Sequence, residues 1–72
     1  MPKLPRTSAE RIIKALVALG FSAVRQRGSH VVLRRGEKGC VVPMHHEVAV
    51  GTLRGILRQG DVSPEEFTDA LH

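Results

Sequence analysis

The stretch Arg25-Gln26-Arg27-Gly28-Ser29-His30-Val31-Val32-Leu33-Arg34 decides the fold. Gly28-Ser29 is a turn pair between two runs of extended character, and the second run, His30 to Arg35, is rich in β-branched residues. Phe21 to Arg27 is the strand before the turn. Beyond the second strand, Gly36-Glu37-Lys38-Gly39 is polar with a glycine at each end, as expected of a hairpin loop of about four residues. Cys40-Val41-Val42-Pro43-Met44 reads as a third strand, with Pro43 restricted to an edge or a strand end because it has no N–H to donate. Three strands joined by short turns make an antiparallel meander.

Helical spacing flanks this meander on both sides. Thr7 followed by Glu10 has the pattern of a capping box, and Ile12, Ile13, Leu16, Val17 and Leu19 continue at helical intervals to Gly20, a natural stop. After His45-His46-Glu47-Val48-Ala49-Val50, Gly51 or Thr52 is expected to cap a second helix with Leu53, Ile56 and Leu57 on its buried stripe and Gly60 at its end. Ser63-Pro64-Glu65-Glu66 opens a short third helix, with an N-cap serine, proline at the first position and acids in the first turn. The order α-β-β-β-α-α predicts an α+β fold over residues 1–72 as a single domain: a three-stranded antiparallel sheet with its helices on one face. The other face is left open, which antiparallel sheets tolerate. If Val31 and Leu33 face the helices, His30, Val32 and Arg34 face away; a one-residue slip would reverse this.

A chain of 72 residues buries only roughly 60% of its unfolded surface. With 42% apolar residues, two Phe and no Trp or Tyr, its core is aliphatic and any site is expected at the surface. One cysteine, Cys40, allows no internal disulfide and fits a reducing compartment; with no long apolar run and no secretory leader pattern, a cytoplasmic protein is expected. Charge is uneven. Residues 1–60 hold all 11 Lys and Arg against Glu10, Glu37 and Glu47, a balance of +8, whereas residues 61–72 hold four acids and no Lys or Arg. Eight of the 11 basic residues are arginines, whose forked guanidinium matches phosphate oxygens, so the partner class indicated is a polyanion.

His30 is the candidate for chemistry. An imidazole can take a proton from a ribose 2′-OH or give one to a leaving oxygen. Around it Gly28 permits close backbone approach, Ser29 offers a hydroxyl, and Arg25, Arg27 and Arg34 can hold phosphate. The plain alternative is a strand histidine with no task. His45 is a second candidate, as acid/base or phosphate contact. A zinc site from His30, Cys40, His45 and His46 lacks paired ligand spacing, so no metal or other cofactor is expected. Cys40, in a valine-rich strand, reads as a small buried hydrophobe and not a nucleophile. Arg54 and Arg58, four apart on the second helix, could extend a basic track or simply form its solvated side.

Taken together, Gly20-Phe21, Arg25 to His30, Val42-Pro43-Met44-His45 and Gly51-Thr52-Leu53-Arg54-Gly55-Ile56-Leu57 resemble the HicA toxins of toxin–antitoxin systems, over roughly Ser8 to Phe67. The resemblance implies a fold similar to a double-stranded-RNA-binding domain, a ribonuclease (mRNA interferase) that cleaves messenger RNA, and inhibition by a cognate HicB antitoxin. It implies His30 as the catalytic histidine, with Gly28 and Ser29 as motif neighbours and His45 as the counterpart of a P-x-H histidine. Members often carry an aromatic residue after the motif histidine. Here the strand reads Val31-Val32-Leu33, which leaves phosphate contacts to dominate RNA affinity. The alternative on the same basic face is a non-catalytic RNA-binding module, and a third is an interaction protein whose sheet docks another chain.

Overall fold

Ala9, Ile12, Ala15 and Leu16 recur at helical steps, and all four are buried in α1 (Ala9–Ala18) of the computed structural model, which describes residues 3–71. The chain continues through β1 (Ser22–Arg27), β2 (His30–Arg35), β3 (Lys38–Pro43), α2 (Val50–Gly60) and α3 (Pro64–Ala70). The sheet has the order β1-β2-β3 and both pairings are antiparallel. The expected α+β architecture is therefore present, with the helices on one face. Val31, Leu33, Cys40 and Val42 point into the core, where Leu16, Leu53, Leu57 and Phe67 meet them.

Local signals moved by a residue or two. The N-cap of α1 is Ser8, whose side chain accepts the Arg11 N–H, and not Thr7. Thr7 is instead buried, and its carbonyl accepts the Val48 N–H at 2.8 Å, which ties the N-terminal segment to the approach to α2. Gly20 does close α1: at φ +102 it lets Phe21 N–H reach the Leu16 carbonyl and its own N–H reach that of Val17. At the end of α2 the left-handed residue is Asp61 (φ 58), with Gly60 the last helical residue. Gly60 is needed for closeness: a Cβ there would stand 3.0 Å from the Phe21 ring. α2 begins at Val50 with Ala49 as an N-cap that makes no side-chain bond, so neither Gly51 nor Thr52 caps it. Ser63 and Glu66 form the expected capping box of α3.

The second hairpin is tighter than its glycines imply. Arg35 pairs with Lys38, which leaves Gly36-Glu37 as a two-residue turn, and β3 starts two residues before Cys40. The first hairpin has the expected two-residue turn: Arg27 pairs with His30, and Gly28 takes φ +57 while Ser29 keeps a negative φ. No helix among the described residues is long and apolar enough to cross a membrane.

Candidate functional site

Paired residues of an antiparallel sheet share a face, so the register alone lists what stands on the open side. His30 lies between Arg27 on β1 and Pro43 on β3, Val32 between Arg25 and Val41, and Arg34 between Ser22 and Gly39. The expected register holds: Val31 and Leu33 are buried, and His30 and Arg34 are exposed. The Gly28-Ser29 turn sits directly beside His30.

A β-bulge makes this arrangement possible. Phe21, Arg25 and Arg27 are an even number of residues apart, so an unbroken strand would put all three on one side. The register instead shifts between Ala23 and Arg25, with Val24 as the extra residue. Ala23 is thereby opposite Leu33 on the helix side and Phe21 is buried, while Arg25 and Arg27 face outward with His30. Val24, 54% exposed, lines a shallow trough of about 390 Å³ with Arg25, Arg27, Val32 and Arg34.

The trough is cationic without compensation. Among the described residues, no carboxylate lies within ion-pair distance of Arg25, Arg27 or Arg34; the pairs that occur are Arg6–Glu47 at 3.9 Å and Arg35–Glu66 at 4.0 Å. Arg35, next in sequence to Arg34, points the other way. Its guanidinium donates to the Leu19 carbonyl at 3.1 Å and lies 4.7 Å from the centre of the Phe21 ring, so it joins β2 to the ends of the helices. His30 has no hydrogen-bond partner for its imidazole among the described residues. Neither a carboxylate nor a carbonyl fixes its tautomer.

His45 is close in the chain path and separate in setting. The Met44 N–H donates to the Ser29 carbonyl at 2.7 Å, which holds the end of β3 against the Gly28-Ser29 turn. The His45 carbonyl accepts the Ala9 N–H at 3.0 Å, and the residue lines a hollow with Ser8, Glu10, Met44 and His46 apart from the arginine trough. Arg54 and Arg58 lie among the helices, around a hollow with Leu4, Leu57, Val62 and Pro64, and do not continue the trough. Cys40 is buried, and desolvation raises its thiol pKa above the usual range. Among the described residues, no three His, Cys, Asp or Glu side chains converge as a metal site would require.

Two features were not read from sequence. The bulge at Val24 has no residue signature, although the conflict between Phe21 and the two arginines signals it. The exposed Val41 stands opposite Val32 and extends the apolar floor beside the arginines, and only the register reveals that they share a face.

Residues 9–62 match the HicA toxin of bacterial toxin–antitoxin systems. The chain belongs to the HicA toxin family. The match runs from the first residue of α1 to just past α2 and includes the whole sheet, the Gly28-Ser29 turn, His30 and His45. Membership makes it the toxin partner of an antitoxin. Comparison with curated protein sequences gives no significant match.

Proposed function

We propose that this HicA-family chain is a metal-independent endoribonuclease of the cytoplasm, acting as a single domain on messenger RNA and held inactive by a HicB-like antitoxin. The observation that supports this is the gathering of three uncompensated arginines on the face that carries His30. Arg25, Arg27 and Arg34 hold the phosphate oxygens of single-stranded RNA, and charge-assisted bonds from guanidinium to phosphate are among the stronger ones available to a surface. Gly28 and Ser29 let the backbone come close beside the imidazole.

In the reaction the ribose O2′ attacks the adjacent phosphorus as its proton is taken up, the bond to the 5′ oxygen breaks, and that oxygen receives a proton. The products are a 2′,3′-cyclic phosphate and a 5′-hydroxyl. His30 takes or gives one of these protons, and the arginines offset the charge that grows on the phosphoryl oxygens. We assign His45, next to the Met44 whose N–H bonds the Ser29 carbonyl, the supporting role of a second proton carrier or phosphate contact.

The test is incubation of the purified chain and its His30→Ala variant with a long single-stranded RNA in the presence of EDTA. Cleavage by the parent alone, with cyclic phosphate ends, is the expected result. Cleavage by both refutes the role of His30.

A second reading draws on the His30 imidazole having no hydrogen-bond partner among the described residues: a module that binds RNA on this face and does not cut it. It predicts salt-sensitive binding without products and little loss on His30→Ala.

A further inference from the structure

The two free edges of this sheet are treated differently. In a two-residue hairpin the residues flanking the turn exchange both hydrogen bonds, and bonded and non-bonded pairs then alternate along the ladder. From Arg35 and Lys38, this alternation turns the amide groups of Gly39, Val41 and Pro43 away from β2, toward the free edge of β3. From Val41 to Pro43 that edge is closed. The Val41 N–H donates to Gln59 Oε1 of α2 at 3.3 Å, and Pro43 has no N–H to offer.

The same counting on the first hairpin, from Arg27 and His30, turns the N–H and C=O of Gln26 away from β2. Beyond the bulge those of Ala23 also turn outward, since Leu33 is bonded toward β3. No described residue closes this edge. All six residues of β1 are exposed, including Ala23 and Gln26 on the helix side, whereas β2 and β3 each bury alternate residues. Open backbone groups with room on both faces are what an added strand requires.

Charge selects the occupant. β1 contains Arg25 and Arg27 and no acid. A second copy laid along β1 would bring two more arginines beside these, with nothing to offset them. A strand with carboxylates would neutralise both. We propose that the antitoxin partner of this toxin adds an extended segment to the free edge of β1, with acidic residues on alternate positions set against Arg25 and Arg27. The inference rests on membership of the family and on the edge geometry, not on the ribonuclease reading.

The test uses the full chain co-purified with its cognate antitoxin and compared with the chain alone. Amide hydrogen exchange at Gln26 and Ala23 should slow by at least about tenfold in the complex, while Val41, already bonded, changes little. Gln26→Pro and Gln26→Ala both lose the side-chain bond to the Gly28 carbonyl, and Gln26→Pro in addition removes the outward N–H while leaving the β2 ladder bonds in place, so it should weaken antitoxin binding by on the order of tenfold or more relative to Gln26→Ala. Should Gln26→Pro fail to fold, the exchange measurement on the unaltered complex decides. Equal exchange rates at Gln26 and Ala23 with and without antitoxin overturn the proposal. Protection that develops in the chain alone as its concentration rises overturns the choice of occupant in favour of a second copy. RNA enters none of these measurements, so loss of the ribonuclease reading would leave them unaffected.

Discussion

Phe21 and Arg25 are four residues apart in extended chain and yet lie on opposite sides of the sheet. Phe21 is buried against Gly60, and Arg25 stands opposite Val32 on the open face. Val24 is the residue that absorbs the difference. An apolar anchor and a cationic face thus coexist in one short strand, and a carboxylate introduced at Val24 would sit among the arginines without disturbing the core. Val24→Asp is expected to reduce RNA affinity by about tenfold or more while thermal stability changes by less than about 0.5 kcal/mol, as for other exposed positions. Filter binding beside thermal melting checks both halves.

Adjacent arginines should separate binding from stability. Arg34→Ala is expected to leave the melting temperature nearly unchanged and to lower the slope of log affinity against log salt by about 0.7 for single-stranded RNA. Arg35→Ala removes the bond to the Leu19 carbonyl, the contact with the Phe21 ring and a long ion pair with Glu66, so a loss of about 1–2 kcal/mol of stability is expected with the salt slope unchanged. The two effects appearing together in either variant would contradict this division.

Two glycines of α2 should respond in opposite directions to the same substitution. At Gly55 an added Cβ meets nothing within 4 Å, so Gly55→Ala should gain about 0.5–1 kcal/mol from helix propensity. At Gly60 the Cβ would press on the Phe21 ring at 3.0 and 3.3 Å. That ring is itself held by Arg35 and has little room to yield, so overpacking of about 1–3 kcal/mol outweighs the propensity gain. Chemical denaturation of the two variants decides.

Thr7 buries a hydroxyl that has no hydrogen-bond partner among the described residues. Thr7→Val keeps the branched shape and removes the unsatisfied group, and is expected to raise stability by up to about 1 kcal/mol. A loss of stability would mean that the hydroxyl is bonded after all.

The Cys40 thiol gives a pH signature. Burial raises its pKa in the folded chain above the value it has when unfolded. The unfolded chain therefore loses this proton first as pH rises, and stability falls once pH passes the unfolded value of about 8.5, a loss that Cys40→Ala should abolish. At neutral pH, thiol labelling should proceed only as fast as the fold opens.

Much of this protein was legible along the chain because its signals are local. Gly28 and Gly36 favour the left-handed conformations of tight turns, Gly20 closes α1, and Ser63 with Glu66 opens α3. The alternation of His30, Val31, Val32, Leu33 and Arg34 was enough to assign the faces of β2, since burying Val31 and Leu33 leaves only one register. The motif around His30 carried the family. Other features depended on partners distant in sequence. Val24 itself carries no mark of a bulge; the bulge arises because Phe21 must pack under Gly60 while the turn at Gly28-Ser29 dictates the phase of Arg25 and Arg27. Alternation turns Arg35 to the side opposite Arg34, but the Leu19 carbonyl and the Phe21 ring that give it a structural task are brought to it only by folding. The open edge of β1 became visible only once Gln59 was seen closing the other. Turns and alternation follow from the backbone preferences of neighbouring residues, whereas the phase between strands, the use of a charge and the exposure of an edge are settled by what packs against them.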